Sequence, residues 1–338
     1  MLGSAVGFVL LFNATPASAR LSRAAEGPMR SSSVAISTQA PDDTAWTQTG
    51  LTDKAIRSLA ASGSRLIAGT PFGGVFLSTD NGGSWTQRGL EATSVQSLAV
   101  TRWGALAGST GGVFSSDDSG ATWRVADSAL TSRDVNCMVV NGADVFAGTW
   151  HGVILSTDVG RTWTQRGLRR HTVKALAVQG PLLFAGTSSA GVWTSDDRGA
   201  SWTQTGLRNT DVHAILESGR TLIAGTWRGV YVSTDSGVSW MRRGLSDYNV
   251  TCLENIDGDL VAGTWAGGVF LSTDGGTDWT PFNAGLTDSN IWAIARRGRT
   301  LFVGTLGDGV WRREIPGGDE VHRSRGNPNG SMSKKEKE

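Results

Sequence analysis

Short apolar bursts separated by polar, glycine-rich turns run from about residue 46 to residue 313, and they come in sets of four. The first complete set opens with Ala55-Ile56-Arg57-Ser58-Leu59-Ala60, turns at Ser62-Gly63-Ser64, and continues through Arg65-Leu66-Ile67-Ala68-Gly69-Thr70. A loop, then Gly74-Val75-Phe76-Leu77-Ser78, a polar octet and a last burst from Trp85 complete it. Bursts this short, rich in β-branched residues and bounded by Gly and Ser, predict strands rather than helices. Four antiparallel strands in about forty residues is the pattern of one β-propeller blade.

The polar octet sets the period. It is spelled Ser-x-Asp-x-Gly-x-x-Trp and runs Ser78 to Trp85, Ser116 to Trp123, Ser156 to Trp163, Ser195 to Trp202, Ser233 to Trp240 and Ser272 to Trp279. With Trp46, which stands without an octet before it, the closing tryptophans fall at 46, 85, 123, 163, 202, 240 and 279, so the gaps are 39, 38, 40, 39, 38 and 39. The second burst of each set ends in Gly-Thr, once Gly-Ser, at Gly69, Gly108, Gly148, Gly186, Gly225, Gly263 and Gly304, which predicts seven blades. The last set has only three strands, and Trp46-Thr47-Gln48-Thr49-Gly50-Leu51 copies a fourth. The expected fold is all-β, a seven-bladed propeller of four-stranded antiparallel blades over 45–314, closed by the strand at Trp46 pairing with the last blade. Closure of this kind removes a free sheet edge that would otherwise template aggregation.

Composition narrows the function classes. Basic and acidic residues nearly balance, 31 against 30, which gives no electrostatic footprint for nucleic acid or anionic lipid. The apolar run Leu2 to Phe12 followed by Ala17-Ser18-Ala19 predicts an export leader over 1–19 that is too short to span a bilayer. Residues 20–44 read as a linker and 315–338 as a solvated polar tail. Cys137 and Cys252 occupy one repeat position that elsewhere holds Ser58, Ser97, Ala175, Ala214 or Ala293, so both are expected as small, buried free thiols.

The aspartates of the octet, Asp80, Asp118, Asp158, Asp197, Asp235 and Asp274, are expected to be structural. A carboxylate there accepts the N–H groups of its own turn, the glycine takes a positive φ, and the tryptophan covers the hairpin. Calcium is set aside, because each loop offers few carboxylates and lacks the closing Glu of an EF-hand. The octet resembles the BNR or Asp-box repeat, and the resemblance covers about 46–313. It implies a propeller with the boxes on hairpins away from the functional face. The family includes sialidases, sortilin-type receptors, other glycosidases and photosystem II assembly factors, so the resemblance implies a fold more sharply than a function.

A sialidase would bring an arginine triad, a tyrosine nucleophile with an acidic partner and an Arg-Ile-Pro signature near the start of the domain. Here only Tyr231 and Tyr248 are available, and the nearest spelling, Arg313-Glu314-Ile315-Pro316, is at the wrong end. No Ser/His/Asp or Cys/His metal arrangement emerges from four histidines and two cysteines. Catalytic residues, metal ligands and cofactors are therefore not assigned.

Function is sought where the repeats disagree. The residue after the first Val/Ile of each set varies as Arg57, Gln96, Asn136, Lys174, His213, Thr251 and Trp292, and should ring the channel mouth. The loops after Gly-Thr vary as Phe72, Trp150-His151, Ser188-Ser189, Trp227-Arg228, Trp265 and Leu306-Gly307-Asp308. From these, Trp150, His151, Lys174, His213, Trp227, Arg228, Trp265 and Trp292 are the candidate ligand-binding residues. Their aromatic rings either stack a sugar or hold a peptide, or else pack between blades. The sequence points to an exported, monomeric, non-catalytic scaffold for a glycan or protein partner. The alternatives are a sialidase-like glycoside hydrolase and a photosystem II assembly factor-like protein.

Overall fold

The computed structural model describes residues 45–130 and 134–315. The leader expected over 1–19, the linker over 20–44 and all of the tail expected over 315–338 except Ile315 lie outside the described residues. Ile315 is not solvated: it is buried in the cluster of the last blade and its N–H donates to Arg299 O. Among the described residues every regular element is a strand, save one 3-10 turn at Ser128–Leu130. The strands form seven separate four-stranded antiparallel sheets, so the chain is a seven-bladed β-propeller. In the first blade they are Ser58–Ser62, Arg65–Gly69, Val75–Ser78 and the two-residue Thr86–Gln87, numbered outward from the axis. The innermost strands touch one another in cyclic order around the ring, Ser58–Ser62 against Ile291–Arg297 included.

The ring is closed by chain ends. Thr47–Gln48 pairs with Val310–Glu314 as the outer strand of the last blade, Thr47 opposite Arg312 and Gln48 opposite Trp311. Two pairs make a short ladder, and Trp46 reinforces it. Its ring is buried, its Nε1 donates to the Phe282 carbonyl at 2.6 Å, and it meets the Phe282 ring edge-on.

Apolar side chains pack between blades. One cluster joins Cys137, Val139, Phe146, Val153 and Leu155 of one blade to Val173, Leu176, Leu183 and Ala185 of the next, with Trp202 at its outer end. Each fully buried side chain of this size contributes about 1.5–3 kcal/mol. The recurring Gly of the second strand is required by the same packing. A Cβ on Gly148 would sit 2.5 Å from Cys137 Sγ and 2.6 Å from Val173 of the neighbouring blade. Cys137 and Cys252 are free thiols, and burial pushes each up to about 12.

The box is a hydrogen-bonded hairpin. Ser78 Oγ donates to Asp80 Oδ1 at 2.8 Å and accepts from Gly82 N, while Asp80 accepts from both the N and the Oγ of Ser84. Side-chain and backbone donors from Ser84, Ser201 and Ser239 hold the carboxyls of Asp80, Asp197 and Asp235 at about 2. Desolvation works against the same lowering in Asp118 and Asp158 and, less strongly, in Asp274, and hydrogen bonds from their own turns hold all three carboxyls below the ordinary value. The closing tryptophan ties blades together: Trp202 Nε1 donates to Gly199 O in its own box and to Arg166 O in the preceding blade, both at 2.9 Å. Trp279 repeats this with Gly276 and Arg243. The carboxylate oxygens are thus committed to their own turns, as a structural box requires.

Candidate ligand site at the channel mouth

Loops between blades and loops after Gly-Thr share one face, opposite the boxes. The Thr of Gly-Thr shapes these loops. Its hydroxyl donates across the loop to the carbonyl of Gly74, Gly152, Gly191, Gly229, Gly268 or Gly309, and Ser109 does the same to Gly112. In several blades the same oxygen accepts a loop N–H, that of Gly73, His151, Arg228 or Asp308. Side chains at the loop tips are therefore presented on clamped backbone. Trp150, Trp227 and Trp265 are 36%, 50% and 40% exposed there, and Phe72 is 88% exposed. His151 and Arg228 are exposed beside the first two.

The variable residue of the inner strand has a specific backbone origin. The register with the second strand shifts between Val95 and Ser97, Val135 and Cys137, Val173 and Ala175, Val212 and Ala214, Val250 and Cys252, and Ile291 and Ala293. The skipped residue is Gln96, Asn136, Lys174, His213, Thr251 or Trp292. A bulge re-aims the side chain of its extra residue, and bulges recur beside functional sites. In the first blade Arg57 holds the same place just before its strand.

The bulged residues do different work around the ring. Asn136 Nδ2 donates to Val173 O at 2.9 Å and Thr251 Oγ1 to Ile291 O at 2.5 Å, each reaching the next blade. Lys174 Nζ lies 3.4 Å from Asp211 Oδ1, and Asp211 also accepts from Ser189 N. Burial lowers the Lys174 ammonium against the pull of Asp211. His213 is buried beside them and is pushed down to about 3, by burial first and the Lys174 charge second, so its imidazole is neutral at pH 7. This side of the ring stitches blades together.

The opposite side is open. A cavity of about 640 Å³ lies between the last, first and second blades, lined by Arg57, Phe72, Gln96, Thr110, Trp292 and Leu306 together with the 53–55 and 70–73 loops. The Arg57 guanidinium sits 3.4 Å from the centre of the Trp292 ring, and Trp265 stacks on Trp292 at 5.6 Å. Burial lowers Arg57 to about 10, leaving it cationic at neutral pH. Of the eight candidate residues read from the sequence, Trp292 lines this cavity and Trp265 stacks against it. Lys174 and His213 lie in the blade-joining network, and Trp150, His151, Trp227 and Arg228 stand on loop tips outside it. Arg57, Gln96 and Phe72 were legible as variable positions, and nothing in the repeat marked the first blade as the open one.

Among the described residues no group of three or more His, Cys, Asp or Glu is placed to hold a metal ion. None of their helices is long and apolar enough to cross a membrane.

A propeller of this form has solved counterparts. The extracellular domain of a hybrid two component system from B. thetaiotaomicron is similar with a TM-score of 0.70 at 16% identity, over 81% of this chain and 40% of that one. YCF48 from Cyanidioschyzon merolae matches with a TM-score of 0.64 at 15% identity, over 80% of this chain and 99% of that one. The GH74 xyloglucanase from Xanthomonas campestris matches with a TM-score of 0.62 at 15% identity, over 80% and 54%. This chain thus spans about two fifths of the two component system chain and about half of the xyloglucanase. At these identities the likeness establishes the propeller fold. No family model matches the chain, and no curated protein matches it.

Proposed function

We propose that the protein is an exported, non-catalytic propeller that binds a glycan or a protein partner on its loop-bearing face. The observation that carries this reading is the channel-mouth cavity, in which an aromatic ring, a stacked guanidinium and a buried amide converge on one space. Concave sites with apolar walls and a few converging polar groups are the usual form of a ligand pocket. Export follows from the leader-like 1–19 segment and suits the likeness to an extracellular domain. A protein partner draws support from YCF48, which has also been solved bound to D1 peptide.

Glycoside hydrolysis is the second reading. It would start from Asp134 on the same rim, whose carboxyl is raised by desolvation against the opposing His151 charge, as a general acid requires. The cavity lining itself carries one carboxylate, Asp53, whereas glycoside hydrolysis ordinarily uses two.

The test is to screen the full chain on parallel glycan and peptide arrays, beside a Phe72→Ala, Trp265→Ala variant and a Trp103→Ala variant on the box-bearing face. Binding that falls in the loop-face variant and persists in Trp103→Ala supports the reading. Binding lost only in Trp103→Ala would overturn it, as would reducing-sugar release abolished by Asp134→Asn.

A further inference from the structure

Gln96 is anomalous among the bulged residues. It is 1% exposed, it is one of the residues lining the cavity, and neither its Nε2 nor its Oε1, both buried, meets a protein partner among the described residues. Its counterparts Asn136 and Thr251, in the same bulge, donate to the carbonyl of the next blade's first apolar residue. Gln96 leaves that bond unmade. A buried amide with both polar atoms unpaired is destabilising, because neither atom recovers the hydrogen bonds it would make to water. Such a group persists at functional sites, where the deficit is made good when a ligand arrives.

We infer that the cavity takes the end of a neutral saccharide, with the Gln96 carboxamide swinging into it to pair with sugar hydroxyls. This rests on the loop-face reading above and names the ligand class. A carboxamide presents one acceptor and a two-hydrogen donor side by side, and two neighbouring sugar hydroxyls offer the complement, since each both donates and accepts. The rest of the lining fits a polyol. Ser94 and Thr110 add hydroxyls, and Arg57 adds donors held flat against Trp292. Phe72, standing almost wholly in solvent at the cavity edge, offers an apolar face to the C–H side of a sugar ring. Asp53, Lys54 and Arg57 bring charges of both signs to the lining, which does not build the single-sign cradle an anionic sugar would need. The volume of about 640 Å³ is in the range of pockets that enclose a small oligosaccharide end.

The proposal couples affinity to stability with opposite signs. Gln96→Leu removes an unpaired buried amide and keeps the side chain's bulk, so the variant should melt at or above the wild-type temperature. Its affinity for the saccharide should fall roughly tenfold or more, the equivalent of one lost site hydrogen bond. Phe72→Ala, at an exposed position, should leave the melting temperature in place and also weaken binding.

The experiment is an array of neutral gluco-, manno-, galacto- and xylo-oligosaccharides probed with the full chain, followed by calorimetric titration of the best-bound one into wild type, Gln96→Leu and Phe72→Ala. Thermal melts of all three are run alongside. Saccharide binding that weakens in both variants, with the Gln96→Leu melt unchanged or raised, is the expected result. Binding equal in wild type and Gln96→Leu overturns the inference, and so does a Gln96→Leu melt several degrees lower, which would show the amide to be partnered. Capture of peptides with no neutral saccharide bound would refute the saccharide and leave the loop-face function standing. Binding of neither, on glycans or peptides, would sink both.

Discussion

Replacing Trp46 with alanine should open the ring at the last blade. The outer strand there is two residues long, and the side chains of Thr47 and Gln48 face solvent, so the ladder alone is a weak clasp. Trp46 is 2% exposed within a cluster containing Ile291, Trp311 and Ile315. Truncating a buried Trp to Ala costs about 3–5 kcal/mol through lost transfer energy and the cavity left behind. Its Nε1 bond to the Phe282 carbonyl adds roughly 1 kcal/mol rather than a full unpaired-acceptor penalty, because Arg313 also donates to that carbonyl at 3.4 Å. A loss near the upper half of the 3–5 kcal/mol range is therefore expected. The assay is equilibrium unfolding in guanidinium, with Thr47→Ala and the half-buried box tryptophan variant Trp240→Ala as references. Thr47→Ala should cost under about 1 kcal/mol and Trp240→Ala an intermediate amount. If Trp46→Ala unfolds at the same denaturant concentration as Thr47→Ala, the closing strand does not hold the ring in this way.

Three further outcomes follow from the same packing. Val159 is a β-branched residue held at φ 62 in a box where the other copies have Asn81, Ser119, Arg198, Ser236 and Gly275, so Val159→Asn should raise stability by about 1 kcal/mol in a melt or urea titration. Gly148→Ala should lower stability by at least about 1–3 kcal/mol or prevent folding, because the new methyl would meet Cys137 and Val173 well inside contact distance. His213 titrates at about 3 in the folded chain against an ordinary 6.5, so the unfolded chain binds the extra proton first and stability falls as pH drops from about 6.5 toward 3. The box carboxylates, held at about 2, begin to contribute their own loss only below the ordinary carboxylate range near pH 4. Burial raises the Glu254 carboxyl to about 7, so the folded chain takes up that proton first and stability gained there offsets the histidine's loss over the same window. Urea midpoints of wild type and His213→Gln at pH 7, 5 and 4 isolate the histidine, and a difference between the two proteins that stays constant from pH 7 to pH 5 would contradict the histidine's burial.

The blade count, strand order and closure were legible because the repeat writes them several times over. Each box needs its Ser, Asp, Gly and Trp, each second strand needs its Gly to pass the next blade's Val or Ile, and seven copies average out local ambiguity. Thr47–Gln48 was recognisable as a strand only because three later copies, after Trp85, Trp163 and Trp202, carry the same spelling. The site was legible as a set of positions, the residue after the first Val/Ile and the loop after Gly-Thr. Which members of that set face a ligand was not, because side chains of similar polarity have different fates in one bulge. Asn136 and Thr251 reach the next blade, Lys174 finds Asp211 from an inter-blade loop, and the Gln96 amide finds no partner among the described residues. Those outcomes depend on contacts 37 or 40 residues away, which a single blade's spelling does not encode.

Ligand is expected to meet the loop-bearing face at the junction of the last, first and second blades. The most direct measurement is hydrogen exchange of the full chain with and without the strongest array ligand, whether glycan or peptide. Slowed exchange confined to 53–57, 70–73 and 92–96, with 101–104 and 115–124 on the box-bearing face unchanged, is the result expected. Protection of those box-face segments with the loop segments unaltered would place the ligand on the wrong side of the molecule and contradict the account.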